Sequence, residues 1–186
     1  MKILIIGSST GGPRILFDIF SEIPKLPISI ILVQHMPQST TPRLARRLSQ
    51  ICKLDVIIPE SGTKLSPGCL YVAPGDNHLI LVNNERILLD LSEKVNYVRP
   101  SIDVTLFSLK ENQDIQLFGI ILSGMGNDGA EGMAYLKSIG GYTIVQDPGS
   151  CIIKSMPESA LKTGKIDAVF TPGQIHDFLS GLAKKG

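Results

Sequence analysis

The sequence predicts an α/β fold, doubly wound around a mostly parallel sheet, with helices on both faces and an antiparallel hairpin insertion. Two observations carry this. Apolar, β-branched runs without helical period occupy residues 2–6, 28–33 and 117–122, the signature of strands buried on both faces. Each run then gives way to a glycine- or proline-marked loop and an amphipathic helical stretch, and such alternation demands right-handed crossovers that lay each helix back on the sheet. With 186 residues, 43% of them hydrophobic, the chain is sized for one domain, residues 1–186, with one substantial core.

The first run stops at Gly7-Ser8-Ser9-Thr10-Gly11-Gly12. Pro13 suits a first helical position, and Ile15, Leu16, Ile19, Phe20 and Ile23 follow at helical spacing until Pro24. After the second run, Thr41-Pro42 opens an arginine-rich helix with Leu44, Ala45, Leu48 and Ile51 inward. The run at 117–122 precedes a helix over 130–139 that ends at Gly140-Gly141. Residues 143–146 and 168–170 are short strands, and Thr171-Pro172 begins the last helix. Between these units, residues 70–73, 79–82 and 87–91 are close-set strands, the last two joined by Asn83-Asn84, a pair that tolerates positive φ. This middle stretch reads as the antiparallel insertion or edge.

Eighteen basic residues against 17 acidic ones give a formal charge of +1, which provides no net field for a polyanion and argues against nucleic acid as partner. Cys52, Cys69 and Cys151 stand singly, without the spacing of zinc sites or disulfide frameworks. The apolar runs are far too short to span a bilayer. A cytoplasmic protein without membrane insertion is expected.

Three loops carry candidate chemistry. Gly7-Ser8-Ser9-Thr10-Gly11 fits G-x-S-x-G, in which a sharp strand-to-helix turn presents the middle serine, making Ser9 a candidate nucleophile. The same loop also reads as a phosphate cradle, although it lacks G-x-G-x-x-G and a P-loop lysine, and Pro13 removes an amide. A serine needs a base. Of the three histidines, His35 ends the second strand, His78 begins a strand of the insertion, and His176 lies in the last helix, so His35 is favoured by position. Asp128, in Gly124-Met125-Gly126-Asn127-Asp128-Gly129, follows the third run and is the candidate carboxylate that orients the imidazole. All three follow strands predicted to be parallel, the edge where open α/β sheets bind ligands. Their order, Ser, His, Asp, differs from that of α/β-hydrolases. Two rival readings remain: a nucleotide- or phosphate-binding Rossmann-like module without covalent chemistry, and metal-dependent hydrolysis through Asp76, His78 and Asp128.

Taken together, Gly7 to Gly12, Val33-Gln34-His35-Met36-Pro37, Gly75-Asp76-Asn77-His78-Leu79, Arg99-Pro100-Ser101-Ile102-Asp103 and the stretch from Leu122 to Met133 resemble the catalytic domain of the chemotaxis protein-glutamate methylesterases, the CheB family. The resemblance covers nearly the whole chain. It implies a Ser9-His35-Asp128 triad, Thr10 and Met125 lining the site, and no cofactor or metal. It further implies a substrate on the cytoplasmic helical region of methyl-accepting chemotaxis receptors, and deamidation of receptor glutamines as a second activity. Arg14, Arg43, Arg46, Arg47 and Arg99 are candidates for meeting an acidic receptor surface. Two departures stand out. The sequence starts at the first catalytic strand, so a catalytic domain without the receiver domain common in the family is expected, and Lys154-Ser155 replaces the aromatic-glycine pair usual before Met156-Pro157.

Overall fold

A computed structural model describes residues 1–183. In chain order its elements are β1 (Lys2–Ser8), α1 (Gly12–Phe20), β2 (Ser29–Gln34), α2 (Thr41–Ile51), β3 (Asp55–Ile57), β4 (Cys69–Val72), β5 (His78–Val82), β6 (Arg86–Asp90), α3 (Ile102–Phe107), β7 (Gln116–Ile121), α4 (Ala130–Ser138), β8 (Tyr142–Gln146), α5 (Ser155–Lys162), β9 (Ala168–Phe170) and α6 (Pro172–Leu182). Seven strands form one parallel sheet in the order β3-β4-β2-β1-β7-β8-β9.

The central strands are apolar without interruption because both faces are covered. Along β1, Leu4 and Ile6 enter one core while Ile3 and Ile5 enter the other, the alternation that a pleated strand imposes. The first core receives α1, α2 and α6 through Leu16, Ile19, Leu44, Leu48, Ile175 and Leu179. The second receives α3, α4, α5 and the β5–β6 hairpin through Ile102, Leu106, Met133, Leu136, Met156 and Leu79. The hairpin turns through Asn83 and Asn84, both at positive φ (53° and 58°), as the asparagine pair predicts.

The structure corrects one assignment. Residues 70–73 belong to no antiparallel insertion: β4 lies inside the main sheet, parallel to β2 with Leu70 opposite Ile30, and parallel to β3. An apolar run has no polarity of its own, so only its partner decides its direction. The antiparallel part is the two-stranded β5–β6 sheet alone, packed on α3. Three short elements had no readable period: β3, α5, and the six-residue α3, which Ser101 caps by accepting the Val104 N–H at 3.4 Å. The first helix also ends at Phe20, leaving Ile23 buried outside it.

From β1 the chain moves outward through β2, and it later returns to β7 on the other side of β1. Here the strand order reverses. The loops after β1, β2 and β7 therefore meet at one end of the sheet, where a crevice opens.

Candidate active site

Ser9 lies in the turn between β1 and α1, and that turn is fastened on all sides. Its N–H donates to the Ser123 carbonyl at 3.1 Å, and its own carbonyl accepts from Gly12 N–H (2.9 Å) and Gln34 Nε2 (3.0 Å). Gln34 is itself held by the buried Ser8 hydroxyl, which donates to Oε1 at 2.6 Å. A neighbouring loop also presses close: a Cβ added at Gly124 would lie 2.8 Å from Ser9 Cβ, so only glycine lets the two loops approach. Because Gly12 N–H is spent on Ser9 and Pro13 has none, the turn makes a poor phosphate cradle.

His35 follows β2 directly, and its backbone N–H donates to the Ser8 carbonyl at 3.0 Å, which levels it with the β1 turn. Its Nε2 lies 2.8 Å from Asp128 Oδ2, with 9% of the His35 side chain exposed and 3% of Asp128. Thus residues 93 apart in sequence share one hydrogen bond largely shielded from solvent. Ser9 and His35 line the same cleft of about 510 Å³. The Ser9 hydroxyl has no hydrogen-bond partner among the described residues.

Asp128 is the most heavily bonded group of the site. Oδ2 also accepts from Ile102 N–H (2.7 Å), while Oδ1 accepts from Ser101 Oγ (2.7 Å), Asn96 Nδ2 (3.0 Å) and Asp103 N–H (3.3 Å). Burial pushes its pKa upward, but the bonds from His35, Ile102, Asn96 and Ser101 together outweigh burial and hold the carboxyl below the ordinary carboxylate value. It stays ionised at neutral pH. Apart from His35, the donors come from residues 96–103; the sequence motif covered residues 99–103 but assigned none of them to Asp128, and Asn96 lay outside it. The one general signal available was that a buried carboxylate must find donors.

Thr10 follows the serine in its turn, and Met125 follows Gly124 in the loop that presses against Ser9. Thr10 lines the cleft, and its carbonyl accepts from Ser123 Oγ at 2.9 Å. Met125 is 74% exposed, and its loop is tethered on both sides by Ser155, which donates to the Gly124 carbonyl (3.0 Å) and accepts from Gly126 N–H (3.1 Å). The departure at Ser155 therefore supports this loop, whereas Lys154 makes an exposed pair with Glu158 at 3.1 Å. Among the described residues, the N–H groups of Thr10 and Met125 donate to no protein acceptor.

The other histidines are committed elsewhere. His78 is fully buried: Nδ1 accepts from Ser101 N–H at 3.1 Å and Nε2 meets the Glu93 carbonyl at 3.0 Å. That leaves neither nitrogen for a metal. His176 Nδ1 lies 3.1 Å from the Ile19 carbonyl and ties α6 to α1. Arg43 and Arg47 line the cleft, Arg47 with its guanidinium 4.3 Å from the Phe17 ring centroid. No carboxylate lines that cleft among the described residues, and neither arginine has an ion-pair partner there. No helix among them is long and apolar enough to cross a membrane.

Comparison with known proteins identifies relatives of this chain. The protein-glutamate methylesterase/protein-glutamine glutaminase of Thermotoga maritima is 42% identical over 185 residues, 97% of this chain and 54% of that protein. The protein of the same name from Thiobacillus denitrificans is 40% identical over 166 residues, 88% of this chain and 47% of its own length. The chain thus spans about half the length of these curated relatives. The crystal structure of the Thermotoga maritima CheB methylesterase catalytic domain superposes with a TM-score of 0.91 at 40% identity, covering 97% of this chain and 98% of that one. Residues 4–179 match the sequence model of the CheB methylesterases, and the chain is a member of that family.

Proposed function

We propose that this chain is a serine hydrolase that removes methyl groups from glutamyl γ-methyl esters on the cytoplasmic helical region of chemoreceptors. The observation that carries the reading is the 2.8 Å bond between His35 and the ionised Asp128, beside a cleft that Ser9 also lines. With Nε2 turned to Asp128, Nδ1 is the nitrogen left to accept the Ser9 proton. Ser9 Oγ attacks the ester carbonyl as His35 takes that proton, and the imidazolium returns it to the departing methoxide, releasing methanol. A water activated by the same imidazole then cleaves the acyl-serine to leave glutamate. Asp128 stays ionised, fixing the tautomer and stabilising the imidazolium.

The tetrahedral oxyanion needs donors about 2.7–3.1 Å away. The free N–H groups of Thr10 and Met125, on the two loops beside Ser9, fit that task. The relatives are named for glutamine deamidation as well as ester hydrolysis, and the same acyl-serine would form with ammonia as the leaving group. A glutamyl side chain on a helical bundle requires an open cleft, and Arg43 and Arg47, without ion-pair partners among the described residues, suit an acidic receptor helix.

The test follows methanol release from methyl-labelled receptor membranes, alongside covalent labelling by a fluorophosphonate. Ser9→Ala should retain the fold and lose both signals. Undiminished labelling in this variant would remove Ser9 from the mechanism.

A further inference from the structure

Behind Asp128 lies a second buried carboxylate that the hydrolytic steps do not use. Asp103, in the first turn of α3, is 4% exposed. Its Oδ1 accepts from Gly132 N–H of α4 at 2.7 Å, and its Oδ2 accepts from Asn96 Nδ2 at 2.8 Å. The same Asn96 nitrogen donates to Asp128 Oδ1 at 3.0 Å. An amide nitrogen carries two hydrogens, so this one group serves both acids, one hydrogen each. Asn96 sits at φ 52°, a left-handed conformation that asparagine tolerates better than most residues. The chain Asp103–Asn96–Asp128–His35 is continuous, with no contact longer than 3.0 Å.

We propose that Asp103, acting through Asn96, is a positioning residue for the triad: it aims Asp128 at His35 and adds negative charge behind the imidazole. The inference rests on the triad reading above. Two carboxylates so close repel unless donors stand between and around them. Asn96 fills that place, and the Ser101 hydroxyl, the His35 imidazole and the N–H groups of Ile102, Asp103 and Gly132 surround the pair. A second negative charge stabilises the imidazolium in the same sense as Asp128 does.

Little else charged faces Asp103. From α4, Glu131 is exposed and Lys137 pairs with Asp167. From β5, His78 accepts a hydrogen bond at Nδ1 from Ser101, so that nitrogen carries no proton. β1 turns apolar residues to α3. Burial above all, and then the Asp128 charge, raise the Asp103 pKa to about 6 against the bonds from Gly132 and Asn96. The added charge is consequently present at neutral pH and absent in mild acid.

The experiment compares pH profiles of kcat/KM, and the NMR titration of His35, in wild type, Asp103→Asn, Asn96→Gly and Asp128→Asn. Glycine at position 96 removes the bridging amide without adding strain at positive φ. Above pH 7, Asp103→Asn and Asn96→Gly should each lower kcat by about 10- to 100-fold, the loss typical when a partner that orients an active group is removed. KM should change less than about twofold, because neither side chain lines the cleft. The His35 midpoint should fall in Asp103→Asn, and its rate deficit should close below about pH 6. Wild-type kcat and an unmoved His35 midpoint in a folded Asp103→Asn would overturn the proposal, as would a deficit constant across pH, the mark of a purely structural residue. Should Asp103→Asn fail to fold, Asn96→Gly decides on kcat and the His35 midpoint alone. Asp128→Asn is the separate control: normal activity there would overturn the triad itself, whatever Asp103 does.

Discussion

Asp128 accepts five hydrogen bonds, and most of its behaviour follows from them. Burial alone would favour the neutral acid, so its depressed pKa measures how far the donors outweigh desolvation. The group binds its proton more weakly when folded than when unfolded. It therefore stabilises the fold above the unfolded carboxylate value of about 3.9, and that stabilisation is lost as pH falls through its lower, folded value. In urea unfolding, Asp128→Asn should be less stable than wild type at pH 7, and the gap should narrow steadily below about pH 4. A gap independent of pH would mean that packing, not charge, sets the difference. Turnover of this variant should fall by about 10⁴, the loss seen when a triad aspartate becomes asparagine in a serine protease.

Among the elements, α3 has a role out of proportion to its six residues. Its N-terminal N–H groups, at Ile102 and Asp103, hold Asp128, so its position fixes the carboxylate. That position depends on β1: a Cβ added at Gly7 would lie 2.7 Å from Ile102 Cδ1, and Ile102 is fully buried. Gly7→Ala should push α3 away from the sheet, costing about 1–3 kcal/mol of stability as overpacked cores do and lowering kcat with it. Ile102→Val, which removes the Cδ1 methyl, should restore part of both in the double variant. Thermal melts and turnover measured on the three variants check this, and a Gly7→Ala protein with full activity would uncouple α3 from the site. No hydrophobic period marks so short a helix. The motif that runs into its first turn was visible in the sequence, while the helix and its task as a donor platform were not.

At the scale of the whole molecule, charge is nearly balanced, but its distribution along the cleft is not. Arg43 and Arg47 stand one helical turn apart on α2 with no carboxylate among the residues lining the cleft. If they meet an acidic receptor helix, Arg43→Glu with Arg47→Glu should raise KM for receptor membranes by roughly tenfold and weaken its salt dependence, since charges at an interface rim act on encounter. Hydrolysis of a small uncharged ester should be nearly unchanged. Equal losses on both substrates would show that the arginines support the fold or the triad instead.

Uninterrupted apolar runs and glycine-marked turns made the doubly wound sheet legible, because such periodicities are local properties of the chain. Ser9, His35 and Asp128 were each picked out because they fall in loops that follow recognisable strands, and the structure brings His35 and Asp128 into one hydrogen bond. Partner choice was not local. Whether residues 70–73 ran parallel or antiparallel, and which donors would surround Asp128, depended on segments distant in sequence that approach only on folding. The sequence by itself determined the elements and the family pattern. Only the tertiary structure decided that β4 joins the main sheet and that residues 96–103 close over the carboxylate, since a hydrogen bond requires two groups within about 3 Å and no local pattern encodes that distance.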